Sequence, residues 1–227
     1  MKTKKTLYII GSGFIICFMF INLCFSGELM GKVLENDLKA VKQLLDAGAD
    51  VNERDASYGS TPLMMASSYV GYTEMVKLLL SFKPDLNIQD KVYGSTALIA
   101  AAGVSKEVVE LLLAAGADIN IKRFDGTSAF LAAISGVLSG RMTTDLLTLL
   151  MEKGSDVNEA ITSGPAEGYT GLMMAARNQS PELIKFLVKN GANINAKAKD
   201  GSTALSLAKK ENDAEMVKLL KKLGAKE

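Results

Sequence analysis

The chain predicts an all-α repeat solenoid of helix-turn-helix pairs, on three observations. A phrase of Gly, Ser or Thr and a short apolar run recurs five times, and a second phrase ending in Asn alternates with it. The spacing stays near 33 residues, the signature of a stacked array. The first phrase reads Gly59-Ser-Thr-Pro-Leu-Met-Met-Ala66, Gly94-Ser-Thr-Ala-Leu-Ile-Ala-Ala101, Gly126-Thr-Ser-Ala-Phe-Leu-Ala-Ala133, Gly168-Tyr-Thr-Gly-Leu-Met-Met-Ala175 and Gly201-Ser-Thr-Ala-Leu-Ser-Leu-Ala208. The second reads Leu44-Leu-Asp-Ala-Gly-Ala-Asp-Val-Asn52, Leu79-Leu-Ser-Phe-Lys-Pro-Asp-Leu-Asn87, Leu112-Leu-Ala-Ala-Gly-Ala-Asp-Ile-Asn120, Leu149-Leu-Met-Glu-Lys-Gly-Ser-Asp-Val-Asn158 and Leu187-Val-Lys-Asn-Gly-Ala-Asn-Ile-Asn195, and it stops short at Leu219-Leu-Lys-Lys-Leu-Gly-Ala225.

Each first phrase starts a helix. Its Gly takes the tight turn before the helix, where positive φ carries no Cβ penalty. Thr61, Thr96, Ser128, Thr170 and Thr203 then stand as N-caps, each worth about 1 kcal/mol. Pro62 fits the first helical position. Ala-rich stretches such as Ala100-Ala101-Ala102 and Ala132-Ala133 keep this helix thin, so neighbouring repeats can approach.

The second helix starts acidic at Glu74, Glu107, Asp145, Glu182 and Glu215, which suits the helix dipole. It ends at Gly48, Gly116, Gly154, Gly191 and Gly224, which serve as C-caps. One copy carries Lys83-Pro84 in place of Gly-Ala, so that helix is expected to end differently. Leu29 to Asn52 forms a degenerate first repeat without the Gly-x-Thr start. Lys209, Lys210, Lys218, Lys221 and Lys222 make the last repeat polar, as a terminal cap facing water must be.

The fourth repeat is enlarged twice. Gly126 to Asp145 spans 19 residues, against 14 from Gly168 to Glu182 and from Gly201 to Glu215. The extra residues fall in Gly136 to Thr144, a loop or helix extension on the rim. Asn158 to Gly168 then spans 10 residues, against 6 from Asn120 to Gly126. The resulting units are 27–55, 56–90, 91–122, 123–160, 161–198 and 199–227, about six repeats with their degenerate caps.

Together the two phrases resemble the ankyrin repeat over Leu29 to Ala225. That resemblance implies β-hairpin-like fingers beside the helix pairs, and recognition of another protein as the activity. It further implies that fingertip residues near each turn Gly project toward a concave groove. Here they are Tyr58, Tyr93, Phe124, Asp125, Glu167, Tyr169 and Asp200, with Tyr69 and Arg177 expected on neighbouring first helices. Tyr58 and Tyr93 share a register in consecutive repeats, and Phe124 falls one residue earlier in the next. The family's His is missing, its positions holding Met64, Ile99, Leu131, Met173 and Ser206. Apolar packing is expected to replace its hydrogen bonds at that seam.

Ahead of the array, residues 1–26 carry Lys2, Lys4 and Lys5 followed by an apolar run from Leu7 to Leu23. A basic flank and an apolar core read as an export signal. Three fates stay open: cleavage after Ser26, retention as a membrane anchor, or lipidation at Cys24. With Lys2, Lys4 and Lys5 removed from the 26 basic residues, 23 would face 25 acidic ones. Both cysteines, Cys17 and Cys24, lie in this leader, so a chain cut after Ser26 has no disulfide and no thiol. That pattern favours a bacterial periplasm or cell envelope.

The composition narrows the function. A chain with no His cannot build a His-based triad or His metal site, and no Cys nucleophile survives cleavage. Gly11-Ser-Gly13 lies in the leader and precedes no strand-to-helix unit, so no phosphate-cradling loop is present. The expectation is therefore no catalytic residue, no metal and no cofactor. A net charge of +1 and the export signal disfavour nucleic acid. The leading reading is a monomeric module that binds another exported protein, touching membrane only through its N-terminal segment. The alternative is an envelope or surface protein that binds a non-protein ligand or a host factor.

Overall fold

The computed structural model describes residues 27–226 and holds twelve α-helices in six consecutive pairs. They are α1 (Glu28–Leu34), α2 (Leu38–Asp46), α3 (Pro62–Ser67), α4 (Thr73–Ser81), α5 (Ala97–Ala102), α6 (Lys106–Ala114), α7 (Ala129–Leu138), α8 (Thr144–Glu152), α9 (Gly171–Arg177), α10 (Pro181–Lys189), α11 (Ala204–Lys210) and α12 (Ala214–Lys222). Short turns fold each pair back on itself. The odd-numbered helices pack side by side as one layer, and the even-numbered helices back them. One apolar core runs through the stack from Leu29 to Leu220. The export segment and Cys24 lie outside the described residues. No helix of the described residues is long and apolar enough to cross a membrane.

The caps follow the sequence reading. Thr61, Thr96, Ser128, Thr170 and Thr203 accept from the backbone N–H three residues on, at Met64, Ile99, Leu131, Met173 and Ser206. The first repeat lacks such a residue, and its helix borrows one: Glu53 Oε1 accepts from Met30 N at 2.9 Å. Met64, Ile99, Leu131 and Met173 are buried, so apolar side chains do fill the seam. Ser206 is exposed and closes a capping box with Thr203.

The end of α4 shares its first closing bond with the other second helices and differs in the next. Lys83 takes φ 53°, the left-handed turn that Gly48, Gly116, Gly154, Gly191 and Gly224 take elsewhere. Its N–H donates to Leu80 O at 3.0 Å, as Gly48 N does to Leu45 O at 3.0 Å. What differs is the next bond. Ala49 N donates to Leu44 O, whereas the buried Pro84 has no N–H to give.

The first enlargement is a helix extension. Helix α7 runs 10 residues against six in α5, and Gly140 at φ 72° then reverses the chain. Val137, Leu138 and Met142 pack on the core. Gly136 permits the close fit, because a Cβ there would lie 3.1 Å from Gly103 Cα. The second enlargement is a true small hairpin, with a bridge between Ala160 and Thr170 and Gly168 N donating to Ile161 O at 2.7 Å.

Candidate functional site: the stacked fingertips

The fingers of the second and third repeats are built on a buried carboxylate. Asp55 accepts from Ser57 N, Tyr58 N and Ser60 N at 2.8, 2.7 and 2.6 Å. Asp90 repeats the pattern with Val92 N, Tyr93 N and Ser95 N at 2.9, 2.6 and 2.9 Å. Three charge-assisted bonds per tip fix the turn and push Tyr58 and Tyr93 outward. Both tyrosines stay half in water.

Adjacent fingers are tied by backbone and side chain. Lys91 N donates to Tyr58 O at 2.7 Å, Phe124 N to Tyr93 O at 2.9 Å, Thr162 N to Asp125 O at 2.7 Å and Lys199 N to Glu167 O at 3.1 Å. Arg54 spans from Gly59 O to Gln89 O, and Gln89 spans from Gly94 O to Lys122 O. Gly94 at φ 69° has no Cβ, which lets the Phe124 ring lie directly over it; a Cβ would meet that ring at 2.6 Å.

The pairing places Phe124 one residue before the row of the tyrosines, as the sequence register has it. Phe124 occupies the row of Lys91, and Asp125 occupies the row of the tyrosines. The fourth finger is one residue shorter, Arg123 to Gly126 against Asp90 to Gly94. The stack continues through a different residue. Tyr58 and Tyr93 stack with centroids 6.5 Å apart, and the Arg123 guanidinium lies 4.8 Å from the Tyr93 centroid.

The other sequence-selected residues hold structural jobs or lie apart. Asp125 accepts from Thr127 N at 2.9 Å. Asp200 accepts from the Ser202 amide and hydroxyl and from the Tyr169 hydroxyl, which hold its carboxyl below the usual range. Glu167 pairs with Lys199 at 2.7 Å. Tyr169 packs against Met173, Ala198 and Leu207. Tyr69 follows α3 and stacks on Tyr72 at 5.1 Å, its phenol pushed up by burial first and by Tyr72 second. Arg177 ends α9 and is exposed. Both sit roughly 9 Å of helix away from the fingers.

Val92, Arg123 and Ser163 join the site without having been singled out in the sequence. Val92 is 46 % exposed beside Tyr58 and Tyr93 at 51 % each and Phe124 at 62 %. With Arg123, Asp125 and Ser163, the residues Val92, Tyr93 and Phe124 line a shallow depression of about 200 Å³. The signal for Val92 was its apolar side chain in a turn whose counterpart holds Ser57. The surface is apolar and rimmed by the Arg123 cation. Among the described residues no group of three His, Cys, Asp or Glu side chains could hold a metal ion.

A family model described as ankyrin repeats (3 copies) matches residues 29–123 and 130–227. The chain is similar to a putative ankyrin repeat-containing protein of Treponema pallidum (strain Nichols), 31 % identical over 151 residues, covering 66 % of this chain and 48 % of that protein. It is also similar to the ankyrin repeat and SAM domain-containing protein 6 of Rattus norvegicus, 34 % identical over 83 residues, 36 % of this chain and 8 % of the relative. The ankyrin repeat and KH domain-containing protein mask-1 of Caenorhabditis elegans is 34 % identical over 98 residues, 43 % of this chain and 4 % of the relative. In each case the match spans less than half of the relative's length.

Proposed function

The chain belongs to the ankyrin-repeat family, and from that premise we propose that it is a non-enzymatic module that binds another protein through its fingertips. Ankyrin repeats generally mediate protein binding. The observation that carries the reading to a place on this molecule is the patch of Tyr58, Val92, Tyr93 and Phe124. Four large apolar side chains stand about half in water on three adjacent fingers. Such contiguous patches mark contact surfaces, and aromatic residues with a neighbouring Arg are the anchors enriched in them. The carboxylates of Asp55 and Asp90 already fix the turns, so little ordering entropy is lost on binding.

The module acts outside the cytoplasm, in a bacterial periplasm or cell envelope, and works as a monomer. The basic flank and apolar run of residues 1–26 support the export, and the confinement of both cysteines to that segment supports a bacterial envelope. Similarity to a bacterial repeat protein is in keeping with this.

A photo-crosslinking amino acid at Val92 in intact bacterial cells tests the binding. The expected product is a discrete adduct whose second component is a protein resident outside the cytoplasm. An adduct with glycan or lipid alone would favour an envelope protein with a non-protein ligand. Fusing alkaline phosphatase after Glu227 tests the placement separately, and an inactive reporter would contradict export.

A further inference from the structure

We infer that the fingertips select a partner segment in which one acidic side chain stands beside a large apolar one, with Arg123 as the carboxylate receptor. This rests on the proposed function and names the chemistry of its partner. Arg123 is out of place for its turn. Its N–H donates to Thr127 O at 2.9 Å, as Asp55 N does to Ser60 O at 3.0 Å and Asp90 N to Ser95 O at 2.9 Å. In those two fingers the residue at this position is the buried carboxylate that accepts from three tip amides. The fourth finger gives up that acceptor for a guanidinium, and three of its amides turn instead to Tyr93 O, Arg123 O and Asp125. A residue that breaks the local building rule of its own repeat marks a functional position.

The guanidinium has no acceptor. It lies 4.8 Å from the Tyr93 centroid, yet its Nε is buried without a hydrogen-bond partner, and among the described residues it makes no ion pair. Two other cations of the row are already engaged. Arg54 donates to Gly59 O and Gln89 O, and Lys122 pairs with Glu159 at 3.6 Å. The nearby acids do not neutralise Arg123. Asp55 and Asp90 are buried within their own turns, and Asp125 holds Thr127 N. Exposed Lys91, whose stem lies over Gly59, adds a second cation with no ion pair among the described residues.

The group that complements this charge is a single carboxylate. A guanidinium lying on an aromatic ring offers its edge N–H groups to an acceptor in its own plane, and a carboxylate takes two of them at once. Val92, Tyr93 and Phe124 line the same depression, so the residue beside the acid is apolar. Asp125 shares that lining and repels a second negative charge, which disfavours a run of acids or a chain of phosphates.

Random peptides displayed on phage and selected on the full chain test this. The selected peptides are expected to carry Asp or Glu next to a large apolar residue. Replacing that acid by its amide should weaken binding to the unsubstituted chain about tenfold or more, and Arg123→Gln should weaken the parent peptide by the same factor. The two changes together should cost no more than either alone, the mark of a direct pair. The peptide-side change leaves the chain intact, so a loss there cannot come from misfolding. Additive losses, or selected peptides that lack an acid and still depend on Tyr93 and Phe124, would overturn the carboxylate receptor and leave fingertip binding standing. Failure to enrich any peptide, or binding that survives Tyr58→Ala, Tyr93→Ala and Phe124→Ala together, would overturn the fingertip reading and this inference with it.

Discussion

Lys83 holds φ at 53° at the end of α4, in the place Gly takes in the other full second helices, and its side chain is exposed. A left-handed conformation costs an L-residue about 1–2 kcal/mol, a cost Gly escapes. Lys83→Gly is therefore expected to raise stability by about 1 kcal/mol, read as a higher urea midpoint at unchanged slope; a lower midpoint would contradict it. Two carboxylates set an acid response. The Asp145 carboxyl is held below its ordinary 3.8 by the Lys106 ammonium, and Asp200 by the Ser202 amide first. A depressed folded value means each contributes above pH 3.8 and loses that contribution as pH falls through the folded value. Carboxyl NMR titrations should place both midpoints under 3.8, and a midpoint at or above it would break the assigned contacts. Capping Thr and Ser were legible in the sequence because a cap acts within one turn of its own helix. The alignment of Phe124 with Lys91 was not, because it depends on pairing with a finger a full repeat away. Nor was the φ of Lys83 legible, since the sequence shows a missing Gly but not that packing still imposes its backbone angle.

At the scale of elements, two helical glycines give opposite expectations for the same change. Around Gly31 in α1 a Cβ would meet nothing within 4 Å, so Gly31→Ala is expected to stabilise by about 0.5–1 kcal/mol. Around Gly136 in α7 a Cβ would lie 2.7 Å from Met142 Cγ and 3.1 Å from Gly103 Cα, one of them backbone. There the strain, typically about 1–3 kcal/mol, outweighs the propensity gain of about 1 kcal/mol. Thermal unfolding of the two variants checks the pair, and a stabilised Gly136→Ala would sink the close contact between α5 and α7. The enlarged repeat was visible in the spacing from Gly126 to Asp145. Its form was not, because Val137 and Leu138 join a helix only when the core is there to receive them. Hydrogen exchange is expected to be fastest at 163–166, the tip of the second enlargement, where the amides of Ser163, Gly164 and Ala166 donate to no backbone carbonyl. Protection there equal to that of Leu111 to Ala114 would contradict this.

For the whole molecule, stability comes from stacking, since no single pair of helices buries its own apolar stripe. The fold was the most legible feature, because five copies of two phrases fix the period and each copy supports the others. The site was legible in part. Tyr58, Tyr93 and Phe124 stood out as aromatics in polar turns, whereas Val92 and Arg123 gained meaning only when fingers stacked and brought separate repeats together. Asp125, Glu167, Tyr169 and Asp200 shared the fingertip positions but spend their polar groups or ring within their own or the adjoining finger. The measurement that bears most directly on fingertip binding is the affinity of a crosslink-identified partner for the triple variant Tyr58→Ala, Tyr93→Ala, Phe124→Ala, with helicity and melting read on the same sample. Anchors of a contact surface contribute about 2 kcal/mol or more each, so binding should weaken by a factor well over tenfold while helicity is retained. Unchanged affinity together with a melting point lowered by several degrees would show that these rings only hold the fingers together.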